Sequence, residues 1–241
     1  MVPLKNLSLL FIILFLLGGA LTFPIYKFDW HKFSRSSVFI KILFWVPIFA
    51  VFILILYAGG WERATILATI LLICLWEISR PAVKRPILWL YWLGFAAALS
   101  HLVLLGRGYP RQLVGILITL CLATVLADVA AYFAGNYLGI HKLPKALNPN
   151  KSWEGVAGEL IGASLGVLLT NVLVQPVINK WIFIPIGIGA IFGDLANSYF
   201  KRIAGLRDWS NTIPGHGGFT DRLSSLAGSS VLTYLFLKLF N

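Results

Sequence analysis

Residues 112–136 read QLVGILITLCLATVLADVAAYFAGN. The segment is predominantly apolar, and its only charged side chain is Asp128. A helix needs about 20 predominantly apolar residues to cross the hydrocarbon core of a bilayer. The segment therefore predicts a transmembrane helix, and an acid inside such a helix indicates a cavity or a charged partner.

Seven other stretches have the same apolar character, with predicted boundaries at 6–26, 39–60, 64–79, 86–106, 156–178, 181–200 and 219–240. The stretch 64–79 is the shortest, so we expect a helix that is tilted, half-buried or merged with its neighbour. The stretch 6–26 lacks a clear Ala-x-Ala cleavage site, which favours a first span over a cleaved signal peptide. The sequence predicts an all-α, polytopic membrane bundle of about eight transmembrane helices, folded as one domain over 1–241.

The composition supports this fold. Hydrophobic residues make up 59% of the chain and charged residues 12%, with a mean hydropathy of +0.84, whereas soluble domains carry about 25% charged residues. The net charge of +11 would suggest nucleic-acid binding in a soluble protein. Here the basic residues occupy short loops between apolar spans. This placement points to the membrane bilayer and its anionic headgroups as partners, and to no nucleic acid.

The basic residues are unevenly divided between the two ends of the spans. Most of the 20 Lys and Arg residues lie in every second loop, at 27–41, 80–85, 142–151 and 201–222. By the positive-inside rule these loops are expected to be cytoplasmic, which leaves both termini outside. The expected location is a bacterial inner or plasma membrane.

Several acids lie within or at the ends of the predicted spans, namely Glu77, Asp128, Glu159, Asp194 and Asp221. Acids are costly in lipid and usually mark an ion pair or a functional cavity. For Glu77 we expect a local ion pair with Arg80, which follows less than one helical turn later. Asp128 begins a polar run that reaches the fifth loop, which favours a functional role.

The densest polar signal is the segment 193–225, GDLANSYFKRIAGLRDWSNTIPGHGGFTDRLSS. Helical spacing places Asp194, Ser198 and Lys201 on one face at the end of the seventh span. The segment after that face contributes basic, acidic, histidine and glycine residues, namely Arg202, Arg207, Asp208, His216, Gly217, Gly218, Asp221 and Arg222. Acids that can hold Mg²⁺, cationic side chains and a glycine-rich turn are together typical of phosphate transfer.

A second polar cluster is NPNKSWEG at 148–155, in the fifth loop. Ser152 is the expected N-cap of the sixth span, and Lys151 beside that helix N-terminus makes a favourable anion site. A capped helix with Trp153 as an interfacial anchor would explain the same residues without any binding role. Both interpretations stay open at this point.

Small residues recur every four positions in two late spans, at Gly158, Gly162 and Gly166, and again at Gly189 and Gly193. Small side chains at this spacing allow transmembrane helices to approach closely. We therefore expect the sixth and seventh spans to form a rigid pair.

The polar residues at 198–222 resemble a known signature. Ser198, Lys201-Arg202, Arg207-Asp208, the run IPGHGG at 213–218 and Asp221-Arg222 are similar to the signature of the phosphatidate cytidylyltransferases, the CDP-diacylglycerol synthases. The stretch 128–155 resembles the upstream loop of that family. Together the two stretches cover roughly the C-terminal half of the chain, and the first half resembles the family only in its hydrophobic spans.

The resemblance implies a membrane enzyme that joins CTP to phosphatidate or a similar anionic lipid, releases pyrophosphate and requires Mg²⁺, with room for a second cation. It implies that Asp194 and Asp221 are the metal ligands and catalytic acids, in a catalytic half spanning 112–241. The implied phosphate-handling catalytic residues are Lys201, Arg202 and Arg222. The other predicted substrate-binding residues are Asp128, Lys151, Ser198, Arg207, Asp208, His216, Gly217 and Gly218.

Two positions depart from the family pattern. Arg207 stands where the family usually has Lys, which keeps the charge and changes the geometry. Ser224 stands where the family pattern Asp-Arg-x-Asp has its second acid, and a serine cannot supply that negative charge. Either the metal site is weaker, or Asp208 or Asp128 compensates, or activity is reduced.

Three other functions remain open. A related enzyme could act on another lipid phosphate or phosphorylate a lipid alcohol, and a family member could have lost catalysis. A transporter would predict inverted repeats and broken helices, and the sequence shows neither. The oligomeric state is open as well, with a homodimer as one expectation.

Overall fold

The computed structural model describes residues 4–144, 151–174 and 178–240, and these ranges contain helices and no β-strand. Helices α1 to α9 are Leu4–Thr22, Trp30–Ser34, Ser37–Tyr57, Gly60–Ala82, Ile87–Gly108, Leu113–Tyr137, Trp153–Leu169, Phe183–Ala204 and Phe219–Phe240. A π-helical turn, Thr170–Val174, extends α7, and short 3-10 turns, Phe23–Tyr26 and Lys180–Ile182, follow α1 and precede α8.

Seven of the described helices, α3 to α9, are long and apolar enough to cross a membrane by length and composition. Helix α1 contains a shorter apolar stretch, Lys5–Ala20, at the position of the predicted first span. The prediction of an all-α polytopic membrane protein is confirmed.

The predicted third span was too short. Helix α4 covers 60–82. The prediction ended early on both sides because charged residues interrupt the apolar pattern there, and the structure places these residues inside the terminal turns of the helix. Glu62 stabilises the first turn by accepting a hydrogen bond from the backbone N–H of Gly59 at 2.7 Å. At the other end, the guanidinium of Arg80 lies 3.9 Å from the ring centroid of Trp76.

Glycines bring α7 against α6. Gly158, Gly162 and Gly166 of α7 each face the α6 helix so closely that an added Cβ would overlap it. At Gly162 the overlap would be with the backbone carbonyl of Leu126. The glycines at this spacing therefore do permit close helix approach, as predicted.

The sixth and seventh spans, α7 and α8, do pack on each other, with Gly187 of α8 facing Leu160 and Ala163 of α7. The glycines predicted to join them, however, face other helices. Gly189 and Gly193 of α8 pack on α9, where an added Cβ at Gly193 would meet the backbone carbonyl of Ser224. The glycines of α7 thus pack against the preceding helix, α6, and those of α8 pack against the following helix, α9, which gives the pairs α6–α7 and α8–α9. The α8–α9 pair brings the end of α8 beside the start of α9, and this juxtaposition positions the polar residues described below.

The close packing at Gly162 predicts a stability difference between two glycine substitutions. Gly162→Ala should lower the free energy of unfolding by about 1–3 kcal/mol, because the added methyl group overlaps the α6 backbone. Gly94 in α5 is the matched control, since an added Cβ there would have open space, and alanine should be neutral or slightly stabilising. Thermal unfolding in detergent measures both, and equal transition midpoints would contradict the packing described.

Candidate active site

A buried ion pair joins the end of α8 to the start of α9. Lys201 Nζ lies 2.6 Å from Asp221 Oδ1, and the two side chains are 12% and 1% exposed. The other carboxylate oxygen, Oδ2, accepts hydrogen bonds from the backbone N–H groups of Trp209 and Gly218, both at 3.0 Å. Two residues predicted to be catalytic are therefore in direct contact, and backbone amides of the intervening loop hold the acid in place.

Three further residues complete this group, and sequence reasoning missed all of them. Asn197 is buried, with Nδ2 3.5 Å from Asp221 Oδ1. Its Oδ1 accepts hydrogen bonds from Tyr91 Oη at 2.9 Å and Trp209 Nε1 at 2.7 Å. The rings of Tyr91 and Trp209 stack with centroids 5.5 Å apart. We call Lys201, Asp221, Asn197, Tyr91 and Trp209 the Asp221 cluster.

A second group surrounds Lys151, immediately before α7. Its Nζ lies 2.6 Å from Glu159 Oε1 and 2.6 Å from Asp194 Oδ2. Lys151 and Glu159 are 19% and 1% exposed, whereas Asp194 is 30% exposed and therefore open to solvent. Burial alone would lower the pKa of Lys151, but the Asp194 and Glu159 carboxylates outweigh it and raise that pKa above its ordinary value. Lys151 is therefore charged at neutral pH.

Asp128 belongs to the same group. It lies in α6, is exposed, and accepts a hydrogen bond from Ser225 Oγ of α9 at 3.1 Å. It interacts electrostatically with Asp194, Glu159 and Lys151. We call these four charged residues the Lys151 cluster. Since Asn197 lies one turn after Asp194 on α8 and approaches Asp221, the Lys151 and Asp221 clusters are adjacent.

The charge of the Lys151 cluster suits a divalent cation. The cluster contains three carboxylates and one ammonium group, and two of the carboxylates, Glu159 and Asp194, contact the ammonium group directly. This composition leaves an excess of two negative charges when all four groups are ionised. Mg²⁺ is usually held by one or two protein carboxylates together with waters and phosphates, and both Asp194 and Asp128 are open enough to serve. Within the described ranges, no group of three or more His, Cys, Asp and Glu side chains is arranged so that it could hold a metal ion.

Asp221 fits a metal ion less directly. Its oxygens already accept hydrogen bonds from Lys201, Asn197 and the backbone amides of Trp209 and Gly218. A carboxylate offers about four lone-pair sites, so all of them are used. A metal ion bound to Asp221 would have to replace one of these donors.

The glycine-rich run 213–218 forms a tight turn around Asp221. The backbone N–H of Ile213 donates to the carbonyl of Gly217 at 2.9 Å, and that of His216 donates to the carbonyl of Ile213 at 2.8 Å. Gly217 has a φ of +83°, which disfavours other residues, and an added Cβ would lie 3.0 Å from Asp221 Oδ2 and 3.4 Å from Asp208. The turn therefore packs directly against the Asp221 carboxylate. The predicted substrate contact of His216 stays a prediction.

The remaining predicted residues lie around the Asp221 cluster. Arg202, Arg207, Asp208 and Arg222 are exposed, and Ser198 is buried in α8. Arg202 Nη1 donates to the backbone carbonyl of Leu206 at 3.1 Å. Three exposed cations, Arg202, Arg207 and Arg222, are therefore close in sequence to members of the buried Asp221 cluster.

Ser224, the departure from the family pattern, is buried at the α8–α9 contact, with Oγ 3.4 Å from the backbone carbonyl of Asp221. Its neighbour Ser225 contacts Asp128. Asp208 approaches Asp221 across Gly217. Of the two acids considered as replacements for the missing charge, Asp208 lies near Asp221, whereas Asp128 contacts Ser225, one helical turn after Asp221.

The fifth loop is described in part. Ser152 caps α7 by accepting a hydrogen bond from the backbone N–H of Gly155 at 3.1 Å, which confirms the predicted N-cap. The backbone N–H of Leu143 donates to the carbonyl of Lys151 at 2.9 Å, which ties the two flanks of the loop together. Residues 145–150, which include the first three positions of NPNKSWEG, lie outside the described residues.

The predicted ion pair between Glu77 and Arg80 is wrong. The Arg80 guanidinium packs over Trp76 instead. The Glu77 carboxylate is fully buried and accepts hydrogen bonds from residues of the 205–220 region. These partners are more than 130 positions away along the chain, so no local sequence pattern could identify them.

The sequence profile of the Cytidylyltransferase family matches residues 83–240, the region that contains both clusters. The chain belongs to the cytidylyltransferase family. The phosphatidate cytidylyltransferase of Brucella suis is 30% identical over 227 residues, covering 88% of this chain and 80% of that protein. Those of Mycobacterium leprae and Mycobacterium bovis are 34% and 33% identical over 134 and 137 residues, in each case 54% of this chain. The chain covers 43% and 44% of the length of these two mycobacterial proteins.

The family membership confirms the resemblance and identifies this cytidylyltransferase-family chain as a nucleotidyltransferase enzyme. The matched region begins at residue 83, after α4. Glu77 therefore lies outside the part of the chain that the family profile covers.

The burial of the Lys201–Asp221 pair predicts a large stability effect. Asp221→Asn should lower the free energy of unfolding by about 3–5 kcal/mol, because it leaves the Lys201 ammonium buried without a counter-charge. Asp208→Asn is the matched control at an exposed neighbouring acid, and should change stability by about 0.5 kcal/mol or less. Thermal unfolding in detergent compares them, and equal stability of the two variants would contradict the buried pair.

Proposed function

We propose that this protein transfers the cytidylyl group of CTP to phosphatidate, giving CDP-diacylglycerol and pyrophosphate for phospholipid biosynthesis. The observation that carries the proposal is the Lys201–Asp221 pair beside a glycine turn and exposed arginines, inside the region matched by the Cytidylyltransferase family. Relatives that are 30–34% identical are named phosphatidate cytidylyltransferase, which supports phosphatidate as the lipid substrate.

The chemistry explains which residue types the site contains. An oxygen of the lipid phosphate attacks the α-phosphorus of CTP, and the bond from that phosphorus to the oxygen bridging to the β-phosphate breaks, so that pyrophosphate leaves. The lipid phosphate is already anionic near neutral pH and needs no base to activate it. Two anions must nevertheless approach each other, so positioning and neutralisation of charge are the main requirements.

Cationic side chains supply this neutralisation. Lys201 is fixed by Asp221 and is therefore pre-positioned, while the exposed side chains of Arg202 and Arg222 are available to phosphate oxygens of an entering substrate. In the turn at 213–218, the backbone N–H groups of Gly215 and Gly217 are further donors for phosphate, since those of Ile213, His216 and Gly218 donate within the turn or to Asp221. Lys151, fixed by Glu159 and Asp194, adds a second pre-positioned cation.

Mg²⁺ is the proposed cofactor, held by Asp194 with Asp128 nearby, and by Asp221 once the metal replaces one of the hydrogen-bond donors that Asp221 holds in this structure. A second cation is part of the same proposal. When bound, Mg²⁺ would neutralise negative charge on the CTP phosphates. The charge excess of the Lys151 cluster supports this proposal, and phosphates of the substrate would complete a site that protein side chains leave incomplete.

The proposed orientation places both clusters at the cytoplasmic face. The ends of α4, α6 and α8 and the starts of α5, α7 and α9 adjoin the loops that are rich in Lys and Arg, which supports a cytoplasmic location for them. With α1 as an eighth span, the same proposal has both termini outside. CTP would then enter from the cytoplasm and the lipid from the bilayer. Assembly as a homodimer stays a prediction.

The proposed function predicts a defined activity. Purified protein should form CDP-diacylglycerol from CTP, phosphatidate and Mg²⁺, and chelation of Mg²⁺ should abolish the reaction. Asp194→Asn should lower kcat by about 100-fold and raise the Mg²⁺ concentration needed for half-maximal rate. Asp29→Asn, an exposed acid that caps α2, is the control and should leave both unchanged. An unaltered rate and Mg²⁺ requirement in Asp194→Asn would refute the metal assignment, and preference for a different lipid acceptor would refute phosphatidate as the substrate.

The orientation predicts a labelling pattern. Lys142→Cys lies in a loop proposed to be cytoplasmic. Trp61→Cys lies in the first turn of α4, at the end proposed to be outside, and both side chains are exposed. In intact cells a membrane-impermeant maleimide should label Trp61→Cys, and should label Lys142→Cys only after permeabilisation. The reverse pattern would show that the clusters face away from the cytoplasm.

A further inference from the structure

Glu77 of α4 is a fully buried carboxylate whose hydrogen-bond donors all come from one distant segment. Its Oε1 accepts hydrogen bonds from Ser210 Oγ and Thr212 Oγ1, both at 2.6 Å, and from the backbone N–H of Phe219 at 3.0 Å. Its Oε2 accepts from the backbone N–H and the Oγ1 of Thr220, at 2.9 and 2.8 Å. A single side chain of α4 is therefore hydrogen-bonded both to the loop before α9 and to the first turn of α9.

Two of these donors are the first backbone amides of α9. The initial N–H groups of a helix have no partners within the helix, and a Ser, Thr, Asp or Asn immediately before it usually accepts from them. The residue before α9 is Gly218, which has no side chain to do so. Glu77 performs this capping role from a different helix, and its negative charge also suits the positive end of the α9 dipole.

The space beside Gly218 supports the same conclusion. An added Cβ at Gly218 would lie 2.6–2.8 Å from the carboxylate atoms of Glu77, and these are the three nearest atoms. Gly218 does not have a positive φ, so its backbone conformation does not itself require glycine. The Glu77 carboxylate thus occupies the place that a capping side chain at 218 would need.

The cap connects directly to the Asp221 cluster. Asp221 lies in the first turn of α9 and accepts a hydrogen bond from the backbone N–H of Gly218 at 3.0 Å. Glu77 binds the two residues between them, Phe219 and Thr220. A shift of this turn would therefore move the Asp221 carboxylate relative to Lys201, which α8 holds.

We propose that Glu77 is a positioning residue for catalysis: by capping α9 from α4, it sets the position of Asp221 against Lys201. This inference rests on the proposed cytidylyltransferase activity, and it assigns a role to a residue outside the region 83–240 that the family profile matches. It also gives the N-terminal half of the chain a direct part in shaping the active site.

The test is a rescue experiment between Glu77 and Gly218. Glu77→Ala should lower kcat by about tenfold or more, since a hydrogen-bonded charge is lost, and Gly218→Ser should also be impaired because its side chain meets Glu77. In the double variant the new serine hydroxyl can cap α9 in the space that the carboxylate vacates. The double variant should therefore be more active than either single variant.

Two further variants keep the test decisive. Glu77→Gln retains the size of the side chain, and should lower kcat while protein yield and thermal stability stay closer to wild type than in Glu77→Ala. Glu62→Ala is the matched control, because Glu62 lies on the same helix and caps only α4 itself. It should leave kcat unchanged.

Amide hydrogen exchange gives a readout that does not depend on activity. Exchange at Phe219 and Thr220 should be faster in Glu77→Gln than in wild type, and slower in the double variant than in Glu77→Ala. The inference is overturned if an active wild type loses no activity in Glu77→Gln, or if the folded double variant is no better than the single variants. An inactive wild type would instead overturn the proposed function, and the exchange measurement would still decide whether Glu77 caps α9.

Discussion

Lys201 and Asp221 face each other at 2.6 Å, with both side chains almost completely buried, and the C-terminal half of the protein is arranged so that this contact can form. An unpaired charge in such surroundings is very costly. Gly189 and Gly193 allow α8 and α9 to pack closely, so the last turn of one helix meets the first turn of the other. Backbone amides from the intervening loop then satisfy the second carboxylate oxygen.

The need to pair buried charges also organises the Lys151 cluster. Lys151 stands between Glu159 and Asp194, and the close α6–α7 packing brings Asp128 of α6 near them. The two clusters together offer fixed cations and open carboxylates at one end of the bundle. A nucleotide and an anionic lipid require this combination, because their phosphates repel each other until cations neutralise them.

The sequence predicted the features that follow from composition and local spacing. Apolar length located the spans, and helical spacing with a specific signature identified Asp194, Lys201 and Asp221. Contacts between distant segments were not accessible in this way: the glycines predicted close helix packing but not which helices would meet, and nothing in the local pattern linked Glu77 to Thr220. Asn197 was the exception that could have been found, since it is a polar residue one turn after Asp194 in an apolar helix.

The most direct test of the account follows the phosphorus atoms of CTP. Purified protein would be incubated with phosphatidate, Mg²⁺ and CTP labelled either at the α-phosphate or at the γ-phosphate. If the clusters catalyse cytidylyl transfer, the α-label enters the lipid product and the γ-label is released as pyrophosphate. Transfer of the γ-label to lipid, or no transfer of either label by correctly folded protein, would contradict the account.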